Sequence, residues 1–309
     1  MELRAELVGE LERSYRQPYH LMRDGLIAIV LALALSFGVS GCANKPFEAS
    51  EVDLAGVESV RARLDTEAGT IRMPLDDVLF SPTERILVQQ ANNILMSRCL
   101  AKSQINLSKD FGVFKPDQED GRYGIWVQRL ADENGYAKTN REGISPESTA
   151  PYDAQEGFRD AYVKCRDDLQ GSLIVMRQIG RPEAPEAIQR IDSMAYGSAM
   201  KAPAWRKAKQ DWRDCLQERG VVVSEDKDSW VPQVPVDELN QQIRTAKIDI
   251  DCKNRTNLIQ KVADLEAKFQ AIYMARDQAA INSLRSAKAV DLARAREIVS
   301  GVRTADEAR

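Results

Sequence analysis

The feature that most constrains this chain is an uncharged run, Leu26 to Val39, that lies near its start and is soon followed by a cysteine. At 1.5 Å of rise per residue, these 14 residues form a helix of about 21 Å, which is shorter than a hydrocarbon core of about 30 Å. A transmembrane anchor is therefore the weaker interpretation. A run of this length is typical of the apolar part of a secretory signal peptide, so the rest of the chain is expected to fold outside the cytoplasm.

The run ends in Val39-Ser40-Gly41-Cys42, the pattern of a bacterial lipobox. Small side chains admit the signal peptidase, and the thiol of Cys42 receives a diacylglyceryl group. We expect residues 1–41 to be removed and acyl chains such as palmitate on Cys42 to hold the protein at the extracytoplasmic face of the cell membrane. The segment before Leu26 is long and slightly acidic for a signal peptide, so Met22 is an alternative start and a cytoplasmic extension is another.

The charge balance of the remaining chain argues against nucleic acid as a partner. Removal of residues 1–41 leaves 39 basic and 42 acidic side chains, a net charge of −3, with no basic stripe. The partners we expect are membrane lipid, through acylated Cys42, and an envelope protein or a cell-wall component.

Histidine is confined to the segment that is expected to be removed. Its single occurrence is His20, so the mature chain would contain none. This excludes catalysis by Ser-His-Asp or Cys-His groups and any histidine metal site. We expect no metal and no cofactor.

Four cysteines remain after Cys42, namely Cys99, Cys165, Cys215 and Cys252. An even number in an exported chain predicts two disulfides, with three connectivities open. A four-thiolate zinc site is disfavoured because the gaps of 66, 50 and 37 residues lack its paired spacing. Similar sequences surround Cys99 and Cys215, and again Cys165 and Cys252. This internal sequence similarity favours the pairs Cys99–Cys165 and Cys215–Cys252, each of which would close a sequential helical unit.

The hydrophobic pattern predicts a mainly α-helical fold of hairpins or a bundle. Ser81-Pro82-Thr83-Glu84 is a strong helix start, with a capping serine, proline at the first position and glutamate closing a capping box. A helix over 204–219 should stop at Gly220, with Trp205 and Trp212 on its core face; the lining of a sugar or peptide groove is the alternative for these two rings. The segment 105–157 is rich in Gly, Pro, Asn and Asp, which predicts irregular structure.

The C-terminal part, from Val236 to about Ser300, has a helical pattern with no internal proline or glycine. It predicts one very long helix or two helices joined by a tight turn. A heptad-like seam there favours an intramolecular helix pair over a dimer interface. Its members are Leu258, Val262, Leu265, Phe269 and Ile272.

The expected domain organisation has four parts. Residues 1–41 are the signal peptide, and 42–68 are a lipidated tether that includes a short helix within 52–64. Residues 69–203 form a first helical unit, and 204–309 form a second with the long C-terminal helix.

Several stretches resemble exported lipoproteins of actinobacteria. They are GTIRMPLDDVLFSPTE with ANNILMSRCLAK after it, the YGIW patch, WRKAKQDWRDCLQERG and DIDCKNRTNL, within residues 69–260. The resemblance implies an extracytoplasmic, mostly helical protein, and it brings no catalytic residues with it.

Candidate functional residues are few. The carboxylate pairs Asp76-Asp77, Asp167-Asp168 and Asp249-Asp251 are expected to lie on solvated helix faces. Tyr123, Trp126 and Tyr136 lie in the irregular segment, where exposure and a binding surface are expected, since loops carry function more often than scaffold does.

We therefore expect a membrane-anchored, non-enzymatic binding or envelope component. The alternatives are a carboxylate-dependent hydrolase acting on cell-envelope polymer and a small-ligand-binding lipoprotein. The hydrolase needs two facing carboxylates, and the receptor needs an apolar pocket.

Overall fold

A computed structural model describes residues 53–107, 111, 121–136, 152, 155–176, 184–234 and 238–307. All of them belong to one compact unit, 47–309. Cys42 and the predicted signal peptide lie outside the described residues.

The unit is mainly helical, as the sequence pattern predicts. Its α-helices are α1 (Pro82–Leu100), α2 (Gln128–Asn134), α3 (Phe158–Asp168), α4 (Glu186–Lys201), α5 (Pro203–Glu218), α6 (Leu239–Arg255), α7 (Leu258–Arg276) and α8 (Gln278–Glu307). Short 3-10 turns span Pro74–Val78 and Ala101–Ser103. Among the described residues, no helix has both the length and the apolar character needed to cross a bilayer.

A short β-hairpin precedes α1. Strand β1 (Arg63–Asp65) pairs antiparallel with β2 (Thr70–Arg72). The short helix expected within 52–64 is wrong, because the described part of that stretch forms turns. Gly56 has a φ of +84°, which ends any regular helix there, and the amide of Ala62 donates to Asp264 on α7 instead of to its own segment.

The start of α1 is confirmed. The Ser81 hydroxyl accepts from the Glu84 amide, and the Glu84 carboxylate accepts from the Ser81 amide at 2.7 Å, which makes the predicted capping box. Helix α5 begins at Pro203, and Gly220 follows its end with a φ of +73°. Trp205 and Trp212 are buried on α5, as expected.

The C-terminal pattern gives three helices, so the expectation of one helix or two is wrong. Asn257 separates α6 from α7 with a φ of +52°, a left-handed conformation that asparagine tolerates better than most residues. The Thr256 hydroxyl donates to the Cys252 carbonyl and helps to close α6. Asp277 is the break between α7 and α8.

Helix α7 lies at the centre of the unit. It packs against α4, α5 and α6, and also contacts α8 and the 3-10 turn at Pro74–Val78. Four members of the predicted seam are buried within the chain itself, namely Leu258, Val262, Leu265 and Phe269. The seam is therefore part of the intramolecular core.

The remaining helices form smaller contacts around this centre. Helix α8 packs along α1, α2 packs on α6, and α3 packs on α1. Helices on both sides of residues 203/204 contribute to one core, with Ile188 and Ile191 of α4 packed together with Trp205 and Val262. The division expected at 203/204 does not separate two cores.

Both predicted disulfides are present. Cys99–Cys165 joins α1 to α3, and Cys215–Cys252 joins α5 to α6. Where the segment 105–157 is described, it contains α2, a bridge between Arg122 and Gly124 and a helical conformation at Tyr152, and it is otherwise irregular.

Removing either disulfide should destabilise the fold by a similar amount but in different places. In the chain-entropy model, each loop closure contributes about 4 kcal/mol to the free energy of unfolding. We expect Cys99→Ala with Cys165→Ala to speed amide exchange mainly in α3, because α3 packs on α1. Cys215→Ala with Cys252→Ala should speed it in α5, α6 and α7, which share the main core. Denaturant unfolding with hydrogen exchange read by mass spectrometry measures both effects, and the same exchange pattern in both variants would contradict this assignment.

Candidate functional site

Two clusters of buried charge lie where the central helices meet the segment 121–126. We call them the Asp249 cluster (Tyr136, Trp212, Asp249, Lys253) and the Glu266 cluster (Arg122, Tyr123, Asp192, Glu266). Burial of unpaired charge costs several kcal/mol, so the partners of each group decide what the cluster can do.

In the Asp249 cluster, a carboxylate and an ammonium group face each other one helical turn apart. The Lys253 Nζ lies 3.2 Å from Asp249 Oδ2, and both side chains are fully buried. The Trp212 indole nitrogen donates to Asp249 Oδ1 at 2.8 Å, and the Tyr136 hydroxyl donates to Oδ2 at 3.1 Å. Both oxygens of Asp249 therefore have donors from the protein.

Lys253 connects α6 to two non-helical segments. Its Nζ donates to the Ile125 carbonyl at 2.7 Å and lies 3.3 Å from the Trp230 carbonyl. With Asp249, these acceptors match the three protons of the ammonium group. The side chain thereby fixes the segment 121–126 and the loop 221–234 to the same turn of α6.

Burial is the main cause of the pKa shifts of Asp249 and Tyr136. It raises the pKa of Asp249 even though Lys253 and the Trp212 donor favour the ionised carboxylate. Burial also raises the pKa of Tyr136, and the charge on Asp249 raises that pKa further. The tyrosine therefore stays protonated and remains a donor to the carboxylate.

Gly124 permits the close approach between the two non-helical segments. Its φ is +72°, and a Cβ placed there would lie 2.6 Å from the Trp230 carbonyl oxygen and 3.2 Å from Lys253 Nζ. A side chain at this position would push the loop away from Lys253, so the cluster requires glycine here.

The Glu266 cluster holds the same segment through the side chains of Arg122 and Tyr123. Arg122 contacts both carboxylate oxygens of Glu266 and donates to Asp192 at 2.7 Å. The Tyr123 hydroxyl donates to Glu266 Oε2 at 2.6 Å. Burial raises the pKa of Glu266, opposed by Arg122 and the Tyr123 hydrogen bond. The pKa of Arg122 is raised because the two carboxylates outweigh its burial.

An aromatic group joins the clusters. The Trp230 ring contacts the rings of Tyr123, Trp205 and Trp212, with centroids 5.1 to 6.5 Å apart. Lys209 Nζ lies 4.2 Å from the centroid of the Trp230 ring and donates to the Ser229 carbonyl at 2.9 Å.

The pKa of Lys209 is lowered into the range of mild alkaline conditions. Burial is the main cause, and it lowers the pKa to about 8, while Asp228 and Asp226 oppose that shift. Arg213 and Lys253 add to the lowering through their positive charges. The loop 221–234 is also held by Arg213, which donates to the Ser224 carbonyl.

The exposure expected of Tyr123 and Trp126 is wrong. Tyr123 has no solvent-exposed surface and Trp126 is buried, because the segment 121–126 crosses the core between the two clusters instead of lying on the surface. Tyr136 is half-buried, and its hydroxyl is directed to Asp249. The three aromatic residues thus pack inward, and a binding role for them stays an untested prediction.

The carboxylate pairs separate in the structure. Asp76 accepts from the Met73 amide, whereas Asp77 faces Arg63 and Arg72 on the surface. Asp251 pairs with Arg219 at the surface, while its sequence neighbour Asp249 is buried. The expectation of a solvated face is therefore wrong for Asp249.

The third pair, Asp167-Asp168, is exposed, as expected. Asp167 lies near Arg166, and Asp168 lies 3.3 Å from Lys164 one helical turn away. These contacts are typical of a solvated helix face and contribute little to stability.

Within the described residues, no three or more His, Cys, Asp or Glu side chains are grouped so that they could hold a metal ion. No protein-family model, curated protein or solved structure matches the chain.

The clusters therefore hold two backbone segments, 121–126 and 221–234, in place through buried hydrogen bonds and ion pairs. The polar atoms of Asp249 and Lys253 already have protein partners, and both groups are closed off from solvent. Sequence reasoning missed Lys253, Arg122 and Glu266. The available signal was the spacing of Asp249 and Lys253, one turn apart and flanking Cys252, but the same spacing is common on exposed helices.

Removing the ammonium group of Lys253 should lower the free energy of unfolding, because the buried carboxylate of Asp249 is then unpaired in charge. We expect Lys253→Met to lower the free energy of unfolding by about 3–5 kcal/mol, because Asp249 loses its charge partner. The pKa of Asp249 is already raised above its unfolded value, so the variant should lose further stability as pH rises from about 4. Denaturant unfolding across pH measures this.

The matched control is the double variant Asp249→Asn with Lys253→Met. It removes both charges, so it should recover part of the loss and flatten the dependence on pH. A double variant less stable than Lys253→Met alone would contradict the pairing.

Lys209 should give the opposite dependence on pH. Its pKa in the folded protein, about 8, lies below the unfolded value, so the unfolded state binds more protons between the two. This contribution to stability should rise from about pH 8 to about pH 10. Unfolding of the wild type and of Lys209→Met at both ends of this range tests it, because the variant lacks the rise, and equal slopes would refute the assignment.

Proposed function

We propose that this protein is an exported lipoprotein that holds a disulfide-bonded helical domain at the outer face of the cell membrane. It acts by binding an envelope partner, a protein or a cell-wall component. The observation that carries this proposal is the uncharged run of Leu26 to Val39 followed directly by Ser40-Gly41-Cys42.

The distance between the anchor and the domain supports a position close to the membrane. The described domain begins at Asp53, 11 residues after Cys42. At about 3.5 Å per residue, this connection reaches at most about 40 Å. The domain is thus within reach of the lipid headgroups and of the polymers next to them.

The disulfides support export. Two bridges join all four cysteines that follow Cys42, and such bonds persist in oxidising compartments outside the cytoplasm. This argument is independent of the lipobox, because the paired cysteines lie 57 or more residues further along the chain.

The arrangement of carboxylates favours binding over the carboxylate-dependent hydrolase. A glycosidase needs an acid and a second carboxylate facing one open groove. Here the pKa values of Asp249 and Glu266 are raised by burial, and each of these carboxylates contacts one cation and one tyrosine hydroxyl inside the core. Both carboxylates thus serve to hold the segment 121–126 in place.

Acylation of Cys42 is the first property to test. The wild type should incorporate a labelled fatty acid and partition into the detergent phase, since each buried CH₂ contributes about 0.8 kcal/mol to membrane affinity. Cys42→Ala should do neither and should accumulate as the longer precursor. Ala43→Ser is the control, because it leaves the proposed lipobox unchanged. Mass spectrometry that finds unmodified Cys42 within an uncleaved wild-type chain would overturn the anchor.

Binding and hydrolysis can be separated with purified envelope material. Incubation with cell-wall polymer should retain the wild-type protein on the polymer without releasing soluble fragments at any pH. Release of fragments that is lost in a carboxylate variant with wild-type stability would select the hydrolase instead.

A further inference from the structure

The two disulfides occupy similar positions in the secondary structure. Each joins the last turns of two helices: Cys99 to Cys165 in α1 and α3, and Cys215 to Cys252 in α5 and α6. The partial negative charge at a helix C-terminus therefore affects both bridges in the same sense. What distinguishes them is burial and the charge of their neighbours.

The two bridges differ in access for an attacking thiolate. Cys252 has no exposed surface and Cys215 lies with it in the main core, next to Leu258 and Trp212. Cys165 is also buried, but Cys99 is only partly buried, at the edge of a smaller cluster. Exchange requires a thiolate to reach one sulfur directly, and Cys99 is the most exposed of the four cysteines.

The flanking charges differ in the same direction. Cys99 follows Arg98, and Cys165 lies between Lys164 and Arg166, both of them exposed side chains. Asp168 and Asp167 lie 3.3 Å from Lys164 and Arg166 and offset part of this charge. Positive neighbours stabilise a thiolate and make it a better leaving group.

The buried bridge has acidic neighbours instead. Asp214 precedes Cys215 and Asp251 precedes Cys252, although Lys253 follows Cys252 and Arg219 pairs with Asp251. The ammonium group of Lys253 is engaged by Asp249 and two carbonyls. A leaving thiolate would gain little stabilisation here.

We propose that the Cys99–Cys165 bond is a thiol-exchange site that reacts with an external thiol compound through Cys99 Sγ, while Cys215–Cys252 is a purely structural bridge. This inference goes beyond the proposed function and does not depend on the lipid anchor. The co-reactant is either a low-molecular-weight thiol or a protein dithiol, which share the same chemistry.

The exchange takes place in two steps. A thiolate attacks Cys99 Sγ, a new sulfur–sulfur bond forms, the Cys99–Cys165 bond breaks, and Cys165 leaves with the electron pair as a thiolate. A second external thiolate then attacks the externally derived sulfur of the mixed disulfide, the bond between that sulfur and Cys99 Sγ breaks, and Cys99 leaves as a thiolate. Two external thiols are oxidised to one disulfide, and the protein bridge is reduced by two electrons.

Reduction would change the attachment of α3. Apart from the bridge, α3 is held on α1 by a small cluster that includes Phe158 and Tyr162 of α3 and Met96 of α1. The main core around α7 does not include the Cys99–Cys165 bridge. Exchange at this site should therefore loosen α3 and leave the central helices in place.

The test is a time course of reduction on the folded, full-length protein in detergent. Dithiothreitol is added without denaturant, free thiols are alkylated at intervals, and both bridges are followed by peptide mapping. We expect Cys99 and Cys165 to become alkylated at least about tenfold faster than Cys215 and Cys252, and faster than global unfolding. Equal rates for both bridges, or faster reduction of Cys215–Cys252, would overturn the proposal.

The direction of attack has its own readout. With glutathione as a monothiol, the first adduct should be on Cys99, and an adduct mainly on Cys165 would overturn the assigned step. A parallel arm with reduced thioredoxin distinguishes a protein dithiol from the small thiol, because a large co-reactant reacts well only if the bridge is open to it.

Charge variants test the leaving group. Lys164→Gln with Arg166→Gln should slow reduction by neutral dithiothreitol by roughly threefold, because the Cys165 thiolate loses its positive neighbours. Arg159→Gln is the matched control, since it removes a charge from the exposed start of the same helix and should leave the rate unchanged. Equal slowing by the control and the test variant would refute the electrostatic part of the proposal.

Discussion

The arrangement of this fold depends on the hydrogen bonds and the ion pair made by the ammonium group of Lys253. Placing a charge in a fully buried position is costly, so every proton must have an acceptor. Those acceptors come from Asp249 on the same helix, from Ile125 and from Trp230. Segments separated by more than 100 residues in the chain are thus required to meet at one turn of α6, and Gly124 provides the space for them.

The Glu266 cluster applies the same constraint from α7. Arg122 joins Glu266 on α7 to Asp192 on α4, and Tyr123 adds a hydrogen bond to Glu266. The segment 121–126 is therefore held by both clusters within a core to which the helices, the hairpin and the 3-10 turn at Pro74–Val78 all contribute. This explains why an irregular stretch, rich in residues typical of surface loops, is buried more deeply than parts of the helices.

The two disulfides stabilise parts of this unit that differ in their resistance to local unfolding. Cys215–Cys252 lies beside the Asp249 cluster and reinforces the same junction of α5 and α6, while Cys99–Cys165 holds a peripheral helix. Covalent and polar constraints thus coincide at the centre of the molecule. At the periphery, the described contacts of α3 are the bridge and a separate cluster of aromatic and aliphatic side chains, so chemistry at this disulfide can act without unfolding the whole protein.

Local sequence patterns predict the helical class, the capping box at Ser81 and the end of α5 at Gly220, and they favour the observed pairing over the two other connectivities of the cysteines. These features depend on residues a few positions apart or on a repeated local pattern. The burial of Tyr123, Trp126 and Asp249 and the division of the C-terminal helices at Asn257 and Asp277 follow from tertiary packing instead. The burial of a polar side chain depends on partners far away in the chain, such as Tyr136 for Asp249, and no local spacing encodes that meeting.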